Sequence, residues 1–390
     1  MQAHFLPLWP YLASVAITVA LAVGVNAAID PYQLRPDPSA GAAETRRPYA
    51  YRNAYVFKAV AIKRLKPKAI VLGNSRTDIG VDPQHPSLRR VGTVYNAALP
   101  AADMQTIEKY FRKALASQPE LKLVVIGLDL VAFFPHKTYT EVPSDFERYL
   151  DDRSFTWDIL DTAFSTHTLL TSMRTWGQGL SGQEPREYYL NDGRRVRHLP
   201  DDAKPIDTMK FHLLQAYIRP GGWYDGRHVD ASQLRALQAI VDTCNSRGIE
   251  LKLFISPSHA VQSVARAESR MSDEFDRWKR ELVRIAPVWD FSGIHTVTQE
   301  PINPSMTGYQ ESSHYNPVIG RMVLDRMFSI HNEKFPADFG ALLSPGMLEA
   351  HLVNQRRALQ QWSTQNAETT ALIKRWRDDA FRGVHTESDS

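Results

Sequence analysis

The 390-residue chain contains a single cysteine, Cys244, which excludes an intrachain disulfide and any cysteine-rich metal site. Net charge is almost absent as well: 46 Lys and Arg face 43 Asp and Glu, leaving a formal +3. So small an excess on a chain this long gives no electrostatic reason for a nucleic-acid partner. No basic block, zinc-type Cys/His spacing or basic–aromatic repeat reverses that. No glycine-rich loop follows the first strand, which argues against a dinucleotide cradle. Nothing in the sequence calls for a cofactor or a metal.

Charge is missing in a different sense from Phe5 to Ile29, which has no charged residue and is rich in Ala, Val, Leu and Ile. That run is long enough to cross a bilayer as a helix, with Trp9 and Tyr11 near its start, where amphipathic rings favour the interface. A cleaved signal peptide is the rival, since Val25-Asn26-Ala27 offers small residues for cleavage. The length of the run and the lack of a preceding Lys or Arg favour an uncleaved anchor over residues 1–29. Arg46, Arg47, Arg52 and Lys58 follow it and by themselves would hold the downstream side in the cytoplasm. Charge bias has less hold on a long following domain, so orientation stays open on these residues alone.

Residues 30–64, rich in Pro, Ala and Arg at their start, read as a tether or irregular collar. Beyond them, apolar runs and helical patterns alternate. Strands are expected at 69–72, 93–96, 121–127, 250–255 and 287–291. Helices are expected at 101–117, 232–247, 261–285 and 317–330. This order predicts an α/β domain over 65–330: a five-stranded, mostly parallel sheet with helices on both faces. An aromatic-rich insertion over about 131–228 interrupts it, with a hairpin signal at Asn191-Asp192-Gly193. Such an insertion shapes a substrate groove or lid, or else serves as a packing or partner surface. A helical tail is expected over 331–380, its apolar stripe a possible partner surface, and disorder over 381–390.

The run Ala69-Ile70-Val71-Leu72-Gly73-Asn74-Ser75-Arg76 puts Ser75 at the carboxyl end of the first strand, where open α/β sheets hold ligands. A serine there acts as a nucleophile when a base lies within hydrogen-bond reach. Asn96, Asp129, Ser256 with His259, and Asp290 follow the other strands and fall on the same rim. His314, on the loop before the last sheet-covering helix, can reach that rim. Glu311, three residues earlier, can turn back and fix one imidazole tautomer. The bland alternative is that His314 caps the helix or binds a neighbouring loop.

Gly73-Asn74-Ser75-Arg76 and Glu311-x-x-His314 resemble the first and last blocks of the SGNH/GDSL superfamily. The resemblance spans about 65–330 and implies a serine esterase or O-acyltransferase working through Ser75, His314 and Glu311. Membrane-anchored members include the DltD-like and alginate-O-acetylation (AlgJ/AlgX-like) proteins. By that likeness the chain is expected to be a single-pass protein of the bacterial inner membrane with its catalytic domain in the periplasm. It would act on a cell-envelope polysaccharide or take an acyl group from a donor, possibly beside a membrane-bound O-acyltransferase. Two departures stand out. Glu311 replaces the usual Asp, and Gly127-Leu128-Asp129-Leu130 lacks the oxyanion-hole asparagine of that superfamily. Asn96 is the expected substitute donor, together with the Ser75 N–H. Asn74, Arg76, Asp129 and His259 are the other candidates for oxyanion or substrate contacts, with a surface ion pair the favoured reading of Arg76. A non-catalytic binding or assembly subunit is the alternative expectation.

Overall fold

The computed structural model describes residues 8–32, 34, 47–135, 146–151, 155–182, 184–330 and 336–387. The first half of the chain gives α1 (Trp9–Ile29), β1 (Arg47–Pro48), α2 (Ala54–Leu65), β2 (Ala69–Leu72), α3 (Ser75–Gly80), α4 (Pro86–Arg89), β3 (Val94–Asn96), α5 (Met104–Ser117) and β4 (Leu123–Leu128). Then come α6 (Phe155–Ala163), α7 (Thr166–Ser181), β5 (Glu187–Tyr189), β6 (Arg195–Arg197), α8 (Pro205–His212) and α9 (Ala231–Arg247). The rest supplies β7 (Glu250–Ile255), α10 (Ala260–Glu268), α11 (Ser272–Ile285), β8 (Val288–Asp290), α12 (Pro317–Met327), β9 (Ala341–Leu343), α13 (Leu348–Gln365) and α14 (Ala367–Glu387).

These elements form two compact units. The first comprises residues 1–64, 140–191 and 195–197. Its α1 is 21 residues long, about 31 Å at the helical rise, and is apolar enough to cross a membrane. Only its last turns are covered, by α6 and α7. There the Asn26 amide donates to the carbonyls of Ala163 (2.8 Å) and Ser165 (3.1 Å), and its oxygen accepts from the Ser172 hydroxyl (3.0 Å). β1, β5 and β6 make a small antiparallel sheet, so the expected hairpin forms. The expected collar is ordered helix over α2, whose Phe57 and Lys58 lie over the Tyr189 ring.

The second unit comprises residues 65–139, 192–194 and 198–390 and is built on a six-stranded sheet in the order β3-β2-β4-β7-β8-β9. All pairs are parallel except β8 with β9. The expected fold class holds, with one more strand than anticipated. β9 is three residues long and antiparallel at the sheet edge, too short for its alternation to show in the sequence. The helix expected over 261–285 is two, α10 and α11, separated where Arg270 takes φ +57°. The expected disorder over 381–390 is corrected as well: α14 continues to Glu387, and only 388–390 lie outside the described residues. The apolar stripe of the tail turns inward through Leu348, Leu352, Trp362, Ile373 and Trp376, and α14 packs on α10. Of the expected insertion, 146–191 belongs to the first unit and 198–228 to the second, while Tyr139 lies outside the described residues.

Close backbone approaches hold α3 in place. Gly73 has φ +148°, and a Cβ there would meet the Gly127 carbonyl at 2.8 Å as well as the Thr77 side chain. On the other side, a Cβ on Gly320 of α12 would overlap the Gly80 carbonyl, and one on Gly80 would overlap the Tyr315 ring. The helix that begins at Ser75 is therefore seated between β4 and α12 by positions that leave no room for a methyl group.

Gly320→Ala is expected to lower stability by about 1–3 kcal/mol through overpacking. Gly346→Ala, whose Cβ would meet nothing within 4 Å, is the silent control. Thermal unfolding of both variants against wild type checks this.

Candidate active site

Ser75 opens α3, and Asn74 before it is the N-cap, its side-chain oxygen accepting from the Arg76 N–H at 3.0 Å. An Asn cap of this kind satisfies one of the orphan donors of the first turn. It also aims the Ser75 hydroxyl away from the strand. The facing element is the loop 309–315, closed at its ends by an antiparallel bridge between Tyr309 and Tyr315. The Gln310 N–H donates to the His314 carbonyl at 2.9 Å, and the His259 N–H to the Ser312 carbonyl at 3.0 Å. Held this way, the loop presents His314 to α3.

His314 Nε2 lies 2.8 Å from the Ser75 Oγ, and His314 Nδ1 is hydrogen-bonded to Glu311. The Glu311 carboxylate also accepts the N–H groups of His314 (2.9 Å) and Ser313 (3.1 Å). With a proton on Nδ1 held by Glu311, Nε2 is free to accept from the serine hydroxyl. The structure thus brings Ser75, His314 and Glu311 together across 239 positions of sequence.

A fourth residue joins them that the sequence reading missed. His212, at the end of α8, places its Nδ1 against the other oxygen of Glu311 and 3.0 Å from the Ser312 hydroxyl. Its ring lies 5.4 Å from that of His314, centroid to centroid. The chain leaves α8 through a π-turn, in which the Ile218 N–H reaches the Leu213 carbonyl at 3.0 Å. That i→i+5 step puts Tyr217 beside His212, with rings 5.3 Å apart. Single π-turns often mark functional positions. The insertion therefore contributes to the site itself. Nothing in Met209–Ile218 distinguishes His212 from a solvent-side histidine on an amphipathic helix.

Glu311 is buried, and burial alone would raise its pKa. The two histidines more than offset that and hold it well below the usual carboxylate range. His212, Glu311 and His314 are also spaced closely enough to be considered as metal ligands. Zinc needs about 2.0–2.1 Å to each N or O ligand. In this structure both histidine nitrogens are hydrogen-bonded to the Glu311 carboxylate.

The remaining candidates separate into those at the site and those away from it. Arg76 is buried, ion-paired with Asp129, and donates to the Tyr217 hydroxyl at 2.8 Å. Asp129 also accepts from Ser256 at 3.2 Å and from Asn74. Burial raises the Asp129 carboxyl above its ordinary range, against the pull of Arg76; at Arg76 burial is the largest single influence, but Asp129, Tyr217 and Tyr224 together outweigh it and keep the guanidinium charged. Burial likewise pushes the Tyr217 hydroxyl up to about 12. The ion-pair reading of Arg76 is thus the one that forms, buried behind Ser75 rather than on the surface, in place of a substrate contact.

Asn96 is not the expected oxyanion donor. Its amide donates to the carbonyls of Thr77 (3.1 Å) and Val81 (3.0 Å), and its oxygen accepts from the Ala98 N–H (3.0 Å), so it braces α3 from below. His259 caps α10 by accepting from the Val261 N–H, and its other nitrogen meets the Glu300 carbonyl at 2.7 Å. Burial lowers its pKa to about 4, which keeps it neutral near pH 7 and outside the catalytic group. Asp290 lies elsewhere, paired with Lys279 (2.6 Å) and His351 (2.7 Å).

The depressed Glu311 pKa has a consequence for stability. A carboxylate held below its unfolded value stabilises the fold above that value, and the contribution fades as pH falls towards the folded pKa. The stability gap between wild type and Glu311→Gln is expected to shrink by about 1.4 kcal/mol per pH unit below about pH 4.3. Urea unfolding of both proteins between pH 5 and pH 3 measures it; a gap constant over that range contradicts the assigned charge.

No protein-family model and no curated protein matches this chain.

Proposed function

We propose that the second unit is a serine acyl-transfer enzyme of SGNH/GDSL type, an O-acyltransferase or esterase. In this reading α1 anchors it in the bacterial inner membrane, it faces the periplasm, and it acts on a cell-envelope polysaccharide. The observation that carries the proposal is the 2.8 Å approach of His314 Nε2 to the Ser75 Oγ, with Glu311 on the opposite ring nitrogen. The likeness of Gly73–Arg76 and Glu311-x-x-His314 to that superfamily's blocks supports the substrate class and the location. A membrane-bound O-acyltransferase is the partner that the same likeness suggests.

In the mechanism, the Ser75 Oγ attacks the acyl carbonyl as His314 Nε2 takes its proton. The resulting imidazolium is stabilised by Glu311, and the proton passes to the departing alcohol oxygen as the acyl–oxygen bond breaks. A second hydroxyl, from sugar or water, then gives its proton to His314 and attacks the acyl-serine; as the acyl–Oγ bond breaks, His314 returns the proton to the Ser75 Oγ and the free serine is restored. Transfer and hydrolysis differ only in that acceptor. The Ser75 N–H, at the start of α3, is available to the oxyanion.

One observation favours the alternative of a non-catalytic binding or assembly subunit. Both side-chain amides near Ser75 are already committed, Asn74 to Asp129 and Asn96 to the α3 carbonyls. Loss of one oxyanion donor costs about 10²–10³ in rate, so a slow enzyme or a silent site follows if nothing replaces it.

A fluorophosphonate probe is expected to label the purified full chain at Ser75, with labelling abolished by Ser75→Ala. Glu311→Gln is expected to lower turnover of an acetylated model ester by about 10³–10⁴-fold, as loss of the tautomer-fixing acid does in other triads. Folded protein that neither labels nor releases acetate overturns the enzymatic reading in favour of the binding subunit.

A further inference from the structure

The apolar surface of the first unit is not confined to α1. Along α6 and the residue that follows it, Trp157, Leu160 and Phe164 are 58%, 39% and 62% exposed. Along α7, Leu170, Met173, Trp176 and Leu180 are 55–71% exposed. The spacings are i, i+3, i+7 in the first case and i, i+3, i+6, i+10 in the second, so each set forms one helical stripe. The buried residues of these helices, Asp158 and Thr162 in α6 and Thr168, Thr171 and Ser172 in α7, lie on the opposite sides. Both helices thus bury polar side chains while these seven large apolar ones stay outside, with Ile159 and Leu169 half-buried. That inverts the pattern of a helix on a water-facing surface.

Position along α1 says what covers these stripes. Among the described residues, the hydrogen bonds that join α1 to the pair are made by Asn26, three residues before the helix ends, and Tyr32 just beyond meets the Thr171 hydroxyl at 3.2 Å. A 21-residue apolar helix about spans the hydrocarbon core of a bilayer. Its last turn therefore lies at one membrane–water boundary, and α6 and α7 lie there with it. Two tryptophans within the stripes, with Arg174 and His167 along the margin of the α7 stripe, suit the boundary between acyl chains and headgroups. We infer that α6 and α7 form an interfacial docking surface for the lipid bilayer itself, lying in the leaflet from which α1 emerges. The occupant is lipid, because the stripes continue the apolar surface of a helix that is itself covered only where these two helices touch it.

The inference rests on α1 crossing the membrane and is independent of the chemistry at Ser75. Its test is collision accessibility of single spin labels on the full chain reconstituted in phosphatidylcholine–phosphatidylglycerol nanodiscs. Labels are attached through Met173→Cys, Trp176→Cys and Leu180→Cys, with Val19→Cys marking α1 and Arg235→Cys marking water. Cys244 stays in place because it is fully buried. At all three α7 positions, oxygen accessibility is expected to exceed that of a water-soluble nickel chelate several-fold, as at Val19, with the order reversed at Arg235. Nickel-dominated labels on α7 beside a lipid-like Val19 overturn the docking surface and leave the anchor standing, the result that a protein partner for this face would give. A water-exposed Val19 together with water-exposed α7 positions overturns both. Quenching of wild-type tryptophan fluorescence by brominated lipid, reduced in Trp157→Phe and Trp176→Phe, provides the same reading without labels; no reduction counts against the inference.

Discussion

The Glu311 carboxylate is a buried charge, and the rest of the site is arranged to make that burial tolerable. An isolated ionised carboxylate in a protein interior is costly unless paired and fully hydrogen-bonded. Here four donors meet it: two imidazole nitrogens, from His314 and His212, and two backbone N–H groups of its own loop. The backbone pair requires the tight turn closed by the Tyr309–Tyr315 bridge. The imidazole pair requires that α8 end where it does. Once those conditions are met, His314 has no choice of orientation. Its Nδ1 is committed to Glu311, and Nε2 is left to face Ser75.

The second constraint is steric, and it fixes where Ser75 stands. Gly73, Gly80 and Gly320 each mark a contact that a single methyl group would break, and together they wedge α3 between β4 and α12. Asn96 supports the same helix from beneath through its carbonyls. Asn96, at the end of β3, therefore acts on Ser75 by position alone. It sets the height of the serine and offers nothing to a substrate.

Much of this was legible in the sequence. Strands such as Glu250–Ile255 and Ala69–Leu72 are continuous apolar or alternating runs with clear stops, and they fall where their composition puts them. Ser75, His314 and Glu311 were legible because the strand-end rule and the loop before a helix both point to one rim. What failed did so for local reasons. β9 carries too few residues to show a period. Asn96 and Arg76 are polar at the rim, but sequence cannot say which polar groups the backbone or a buried carboxylate will claim first. His212 is the last residue of α8, just before the π-turn, and the helical period offers no warning of its role. The apolar faces of α6 and α7 were read as part of an undifferentiated aromatic insertion, since periodicity identifies a stripe but not the side on which a helix packs.

Asp129 shows why a changed block need not mean a changed site. An aspartate left alone at this strand end would set a bare negative charge beside Ser75. Here it is closed in by Arg76, Asn74 and Ser256, and the Arg76 guanidinium continues on to the Tyr217 hydroxyl. The pair is close to neutral as a unit, buried and directional. Its field at Ser75 is that of an oriented dipole rather than of a free carboxylate, and such fixed dipoles need no reorganisation when charge develops nearby.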